Sequence, residues 1–103
     1  MKNFYKKLKN ITLASLKQKK NELWDAEGVL HNQLLKFDLR PLKNNAKGGS
    51  FRTKADKIVF DMKDQFIVVD TEELHQYLKE NKLKEVHLQD LLSKLEWNII
   101  LPK

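Results

Sequence analysis

The sequence predicts a single α+β domain, residues 1–103, in which a small sheet is backed by helices. Three observations lead to this prediction. Apolar residues recur with the 3.6-residue period of a helix over residues 3–37. Two runs rich in valine, isoleucine and phenylalanine follow at 57–62 and 65–70, and such runs are typical of strands. With 103 residues, of which 41% are hydrophobic, the chain is long enough to bury one core.

The first predicted element is a long N-terminal helix over residues 3–37. Gly28 costs about 1 kcal/mol inside a helix, so a split into two helices near this residue is an alternative. Pro41 ends the pattern, because its ring cannot continue a helix. Every seventh residue from Leu16 to Phe37 is apolar, which leaves a homodimer through this helix open. The apolar side of the helix comprises Tyr5, Leu8, Leu16, Leu23, Leu30, Leu34 and Phe37.

A basic, flexible loop within the domain is predicted next, over residues 42–57, LKNNAKGGSFRTKADK. Its paired glycines, Gly48 and Gly49, raise the question of a nucleotide-binding loop. That class of site is excluded, because the segment lacks the glycine–lysine–serine/threonine ending and precedes a strand rather than a helix. Phe51 beside Arg52 would instead let the loop contact a nucleic-acid backbone and stack one base.

Two strands are predicted next, KIVFDM at 57–62 and QFIVVD at 65–70, and the first of them begins at the last residue of the basic loop. Two residues separate them, so we expect an antiparallel hairpin. Asp70 then begins a helix as its N-cap, and Glu73 is placed to reach back in a capping box.

The last third of the chain predicts two helices and a C-terminal strand. The first helix ends near Asn81, the second follows through KEVHLQDLLSKLEW, and WNIILP returns as a strand of the small sheet. Residues 71–101 could alternatively form a helix-turn-helix with a wing strand that binds DNA. The second helix carries Glu85 and Asp90, however, and a helix that reads the major groove is usually richer in base-contacting side chains.

Charge is the most uneven property of the sequence. The net charge is +6, with 20 basic against 14 acidic residues. Residues 1–20 hold seven lysines and no acid, and residues 36–57 hold seven bases and two acids. Acids exceed bases in residues 21–35 and 58–103. A polyanionic partner would therefore meet the two basic segments first.

We predict a basic binding surface drawn from both basic segments, with no catalytic residue, no cofactor and no metal. The chain has no cysteine, and its histidines, His31, His75 and His87, have spacings that fit no familiar metal site. The acids near the hairpin form no convincing carboxylate pair for acid–base chemistry. The predicted binding residues are Lys6, Lys7, Lys9, Lys17, Lys20, Lys43, Lys47, Phe51, Arg52, Lys54 and Lys57.

One stretch resembles a known family. LRPLKNNAKGGSFRTKADKIVFDMKDQFIVVD, residues 39–70, is similar to the core of small ribosome-dependent ribonuclease toxins of toxin–antitoxin pairs. In that family a leucine-lysine-glycine turn leads into an aromatic-basic-x-basic strand and a hairpin. The resemblance implies that Arg52, Lys54 and Lys57 hold and polarise the scissile phosphate. The family's first strand is missing here, and two helices and a strand are added after the hairpin.

Together these observations favour a non-enzymatic, intracellular binding protein. Its basic surfaces would engage a nucleic acid, or a protein or ribonucleoprotein that processes nucleic acid. Its small size and its composition, with 18 lysines against two arginines, also suit a phage or mobile-element inhibitor of a defence nuclease, of the anti-CRISPR kind. We expect the cytoplasm, because no apolar run is long enough to span a bilayer. The ribonuclease toxin and the helix-turn-helix regulator are the alternatives.

Overall fold

A computed structural model describes residues 2–41, 53–81 and 93–103 of the chain. They form a six-stranded mixed sheet in which the strands lie side by side in chain order. Within these ranges, no helix is long and apolar enough to cross a bilayer. The elements are α1 (Lys2–Tyr5), β1 (Lys9–Leu13), α2 (Leu16–Glu22), β2 (Ala26–Leu30), β3 (Gln33–Pro41), β4 (Lys57–Asp61), β5 (Gln65–Asp70), α3 (Thr71–Glu80) and β6 (Asn98–Pro102).

The predicted long N-terminal helix is wrong, because most of its residues belong to the sheet. The first strand starts at Lys9, and residues 26–41 form the antiparallel pair β2 and β3. Burial alternates strictly along the five residues of β2, which is the period of two of a strand. Leu34, assigned to the apolar side of the helix, is 61% exposed. A homodimer through that helix therefore loses its structural basis.

A two-residue turn at His31 and Asn32 joins β2 to β3. Both residues have positive φ, 50° and 65°, and Leu30 pairs with Gln33 across them. Positive φ at both positions is the mark of the type I′ turn, whose twist matches that of the flanking strands. The turn also explains why the helical pattern does not become a helix, because a left-handed backbone cannot continue one.

The middle of the described sheet contains its parallel pair. β3 runs parallel to β4, with Phe37 opposite Lys57, whereas the other neighbouring pairs are antiparallel. β4 and β5 form a hairpin where the sequence predicts one, and the Met62 amide donates to the Gln65 carbonyl oxygen at 2.9 Å. The sheet therefore consists of two antiparallel halves, β1 to β3 and β4 to β6, which meet at β3 and β4.

α3 follows β5 directly, and Asp70 caps it. The Asp70 carboxylate accepts the Glu73 amide at 3.0 Å. Glu73 departs from the predicted capping box, because its carboxylate accepts the amides of Glu96 and Trp97 instead of reaching back. It thereby ties α3 to the segment that leads into β6. The second predicted helix falls mostly on residues 82–92, outside the described residues.

Both faces of β4 and β5 are buried, so the core has two layers. Successive side chains of a strand point to opposite faces, and each face here has its own cover. The layer under α3 comprises Ile58, Phe60, Ile67, Val69, Leu74 and Leu95. The layer around α1 comprises Phe4, Leu8, Leu30, Phe37, Val59, Phe66 and Val68.

The sheet curls around Phe4 of α1, a residue with no exposed surface. The centre of its ring lies 5.2 Å from that of Phe37 and 5.4 Å from that of Phe66, both edge-on. Leu30 of β2 and Leu101 of β6 line the same cleft. Strands four apart in a flat sheet are separated by about 19 Å, so a strong curl is needed to bring these two residues together.

Gly28 has a packing role rather than a helix-splitting one. It lies in β2, where a Cβ atom would meet Leu8 Cβ and Cδ1 at 3.0 Å. This distance is shorter than an ordinary contact between carbon atoms. The glycine therefore lets the segment after α1 lie directly on β2.

Candidate functional site

α2 stands apart from both core layers, since none of its seven residues is buried. A capping box holds its start. The Ser15 hydroxyl accepts the Gln18 amide at 3.1 Å, and Gln18 Oε1 accepts the Ser15 amide at 2.9 Å. An isolated helix this short is marginal in water. Its caps and chain connections therefore hold it in place, and packing contributes little.

The exposed side chains of α2 and its flanks combine leucine with lysine. Leu16 is 86% exposed, Leu13 61% and Leu23 43%. Three exposed lysines of α2 accompany them, and none forms an ion pair within the described part of the chain. This segment therefore offers a partner exposed apolar side chains together with positive charge. We define the lysine–leucine surface as Leu13, Leu16, Lys17, Lys19, Lys20 and Leu23.

Leu23 occupies a backbone position that disfavours leucine. It ends α2 with a left-handed φ of 61°, a geometry at which glycine or asparagine is usual. A residue with a Cβ atom loses about 1–2 kcal/mol in this conformation. Strained backbone tends to cluster at functional sites, and here it accompanies a leucine that remains 43% exposed.

β1 forms one edge of the described sheet. Among the described strands it pairs with β2 alone, and all five of its residues are exposed. A bulge lies between Lys9 and Thr12, where Asn10 has a φ of 54°. Bulges and lysines at an edge discourage unspecific strand pairing. The side chains, rather than the edge backbone, are therefore what this region offers a partner.

The described end of the basic loop lies against α2. The Lys54 amide donates to the Glu22 carbonyl oxygen at 2.8 Å, and the Thr53 hydroxyl donates to the Leu23 carbonyl oxygen at 2.9 Å. The exposed Lys54 therefore lies close to the end of the helix that carries the three lysines. Outside the described residues lie the other loop positions predicted to bind, Lys43, Lys47, Phe51 and Arg52.

Lys57 is engaged in contacts within the fold. Its Nζ lies 2.7 Å from Asp70 Oδ1 and 3.8 Å from the centre of the Trp97 ring, and the residue is 8% exposed. Both contacts satisfy the charged ammonium group. The phosphate-binding role that the toxin resemblance implies for Lys57 would require breaking them. The predicted hairpin itself indicates this pair, because its register places Lys57 opposite Asp70.

A cleft of about 330 Å³ lies beside the other N-terminal lysines. Lys6, Lys7 and Lys9 are exposed between α1 and the start of β1, and the last two line the cleft. The remaining walls come from the end of β2, the β2–β3 turn and β6. The apolar pattern that predicts a helix through His31 gives no indication of this cleft. No carboxylate occurs among the lining residues, which are Lys7, Lys9, Val29, Leu30, His31, Asn32 and Leu101.

A second cleft, of about 480 Å³, lies between the start of β4 and the start of α3. Its walls carry both signs of charge, with two lysines and three carboxylates. One of these carboxylates, on Asp56, accepts the Lys36 amide at 2.8 Å and so holds β3 against the segment before β4. The mixed charge favours neither anions nor cations.

A buried ion pair lies within β3. Asp38 is 7% exposed, and Arg40 donates to its Oδ2 from Nε at 3.1 Å and from Nη2 at 2.8 Å. Burial raises the pKa of Asp38, because loss of water disfavours the carboxylate, and the Arg40 guanidinium partly opposes this effect. The neighbouring Asp25 carboxylate raises the pKa further. This pair therefore makes stability depend on pH.

Metal ligation has no basis in the residues that the structure describes, where no group of three or more histidine, cysteine, aspartate or glutamate side chains could hold an ion. Comparison with known protein families, with curated proteins and with solved structures gave no match to this chain.

Proposed function

We propose that this chain is a non-enzymatic, cytoplasmic binding module that docks through its lysine–leucine surface on an acidic, partly apolar surface of a partner protein. One observation carries the proposal: α2 buries none of its residues, and Leu16 at its start is 86% exposed among lysines. Covering the leucines would remove apolar area from water, which is favourable by about 25 cal/mol per Å². The lysines around them favour a negatively charged partner.

A protein fits this surface better than a nucleic acid does. Sequence-independent binding of single strands combines positive charge with aromatic rings on which bases stack. Phe4, Trp24 and Phe37 are buried in the fold, and the apolar side chains of the lysine–leucine surface are all leucines. An apolar centre with a charged rim is the usual anatomy of a protein interface.

Ion pairs within the fold support binding rather than catalysis. Lys57 is paired with Asp70, and Asp61 Oδ1 lies 2.5 Å from the Lys103 ammonium nitrogen. A general acid, a general base or a phosphate ligand has to be within reach of its substrate. Among acidic partners we favour a protein that processes nucleic acid, including a defence nuclease inhibited in the anti-CRISPR manner. That is the class of partner that the segregated basic charge indicated.

Site-specific photocross-linking tests the proposal. A photoreactive amino acid replaces Leu16 on α2 or, as a control, the exposed Gln76 on α3. Cells of the native host carry each variant, and half of each lysate is treated with nuclease. We expect one discrete protein adduct from position 16, unchanged by nuclease and absent from position 76.

A matched pair of charge variants forms the second arm of this experiment. K17E/K19E/K20E reverses the lysines of the lysine–leucine surface, whereas K63E/K79E/K94E reverses three other exposed lysines with the same change in net charge. We expect the first to weaken binding of the cross-linked protein about tenfold or more, and the second to leave it unchanged. Loss of the adduct after nuclease treatment, binding to anionic vesicles in place of a protein, or equal effects of both variants would contradict the proposal.

A further inference from the structure

The cleft at the β2–β3 turn has the chemistry of an anion site. Lys7 and Lys9 supply two ammonium groups, His31 an imidazole and Asn32 a carboxamide. All four can donate hydrogen bonds, and none of the lining residues carries a negative charge. We infer that this cleft binds a phosphate monoester of about nucleotide size.

The polar walls of the cleft match a phosphate group. Lysine ammonium groups bind phosphate as point charges, and such charge-assisted hydrogen bonds are roughly twice as strong as neutral ones. The Lys7 amide donates to the Phe4 carbonyl oxygen at 2.9 Å, and Lys9 pairs with Val29 in the β1–β2 ladder. These backbone contacts fix both lysines on the rim. A phosphate dianion in the cleft would therefore meet two positively charged side chains on its rim.

The floor of the cleft matches an apolar group attached to that phosphate. Leu30 is 6% exposed, and Val29 and Leu101 are half-buried. The cleft volume of about 330 Å³ falls at the lower end of the range for small-molecule sites, about 300–1,000 Å³. Inorganic phosphate alone would leave the floor uncovered, whereas a nucleoside joined to the phosphate would cover it.

The turn that forms one wall carries side chains where its backbone favours glycine. His31 and Asn32 both have left-handed φ, and asparagine–glycine or glycine–glycine is the usual choice for a type I′ turn. Keeping a histidine and an asparagine there costs stability, and both side chains lie on the cleft. Contact with a ligand would explain their presence.

The second cleft of the molecule provides a contrast. It is larger, but its three carboxylates stand beside two lysines, so its mixed charge does not favour a phosphate. The anion cleft also shares no residue with the proposed docking surface, because it uses Lys7 and Lys9, whereas the lysine–leucine surface uses the lysines of α2.

Titration of the full chain with adenosine 5′-monophosphate, followed by amide NMR at constant ionic strength, tests the inference. We expect saturable shifts at His31 and Asn32, with an affinity about tenfold above that for adenosine or for inorganic phosphate measured in the same way. A dinucleotide with and without a 5′-phosphate completes the series. Tighter binding of the phosphorylated dinucleotide than of the mononucleotide would support the end of a strand as the source of the phosphate, and the reverse order a free nucleotide.

Three variants make the test specific. K7E/K9E should lower the affinity for adenosine 5′-monophosphate about tenfold or more, whereas K17E/K20E, with the same change in net charge, should leave it within about twofold. H31G/N32G removes both side chains but keeps a sequence that the turn accepts, and should weaken binding in a folded chain. Equal weakening by K7E/K9E and K17E/K20E, or no saturable shift at the turn up to about 10 mM ligand, would overturn the inference.

Discussion

The β4–β5 hairpin and the segment formed by β1 and α2 use apolar side chains in opposite ways. Four consecutive residues are buried in β4, and four in β5. All five residues of β1 are exposed, and none of α2 is buried. The hairpin lies inside the sheet with a cover on each face, whereas β1 lies at an edge. Position in the sheet, rather than leucine content, therefore decides burial in this protein.

This difference separates residues that hold the fold together from residues left for a partner. The hairpin is stabilised by apolar burial, the dominant favourable term in folding. α2 is held by its capping box and by hydrogen bonds from residues 53 and 54 to its end. Substitutions in the two core layers that cover the hairpin should therefore change stability, and substitutions on α2 should change binding.

Phe4→Ala should have the largest effect on stability. The ring is fully buried and lies edge-on to Phe37 and Phe66, which belong to different halves of the sheet. Its removal leaves a cavity, so we expect the free energy of unfolding to fall by about 3–5 kcal/mol, measured by urea denaturation. Leu16→Ala on α2 is the control and should change it by less than about 0.5 kcal/mol. Similar losses in the two variants would show that α2 belongs to the core.

Leu23→Gly should stabilise the fold while weakening partner binding. Relief of about 1–2 kcal/mol of left-handed strain, less about 0.5–1 kcal/mol of added chain entropy in the unfolded state, leaves a gain of up to about 1.5 kcal/mol. Urea denaturation measures the gain, and the yield of the adduct from a cross-linker at position 16 measures binding. A less stable variant would place the Leu23 side chain among the residues that hold the fold.

Asp38→Asn should change the pH dependence of stability, and its effect should be smaller than that of Phe4→Ala. Burial raises the pKa of Asp38 in the folded chain above the usual value of about 3.9. Its contribution to stability is therefore complete below that usual value and is lost as the pH rises through the raised pKa. Asparagine keeps an acceptor for Arg40 but does not titrate. We expect the stability of the parent relative to the variant to fall between acidic and neutral pH in denaturant titrations, and a constant difference would exclude the shift.

Local sequence patterns predicted the β4–β5 hairpin but not the β2–β3 pair. Leu30 and Phe37 are buried whether the segment is a helix or two strands, so they cannot distinguish the two. Leu34 does distinguish them, since it is 61% exposed in the sheet, but leucine is a strong helix former and favoured the helix. The turn at His31 and Asn32 lacks the glycine that usually marks a type I′ turn.

The candidate sites, like the strands, are only partly predictable from local sequence. Charged side chains are rarely buried unless paired, so local sequence was enough to expect the lysines of residues 6–20 at the surface. Lys57 is the exception, and its partner Asp70 lies 13 positions away. The anion cleft requires Leu101 to lie near the β2–β3 turn, which depends on the curl of the whole sheet. A contact between residues so far apart in the chain leaves no local pattern in the sequence.

Because β3 pairs in parallel with β4, the two halves of the sheet should also form at different times during folding. The turn between β2 and β3 closes across two residues, whereas β3 and β4 pair across the whole segment between Pro41 and Lys57. Closing longer segments costs more chain entropy and slows folding. During synthesis residues 1–41 leave the ribosome before β4 and β5 do. They carry Phe4 and Phe37 without Phe66, so the N-terminal half cannot complete its core until the C-terminal half has been made.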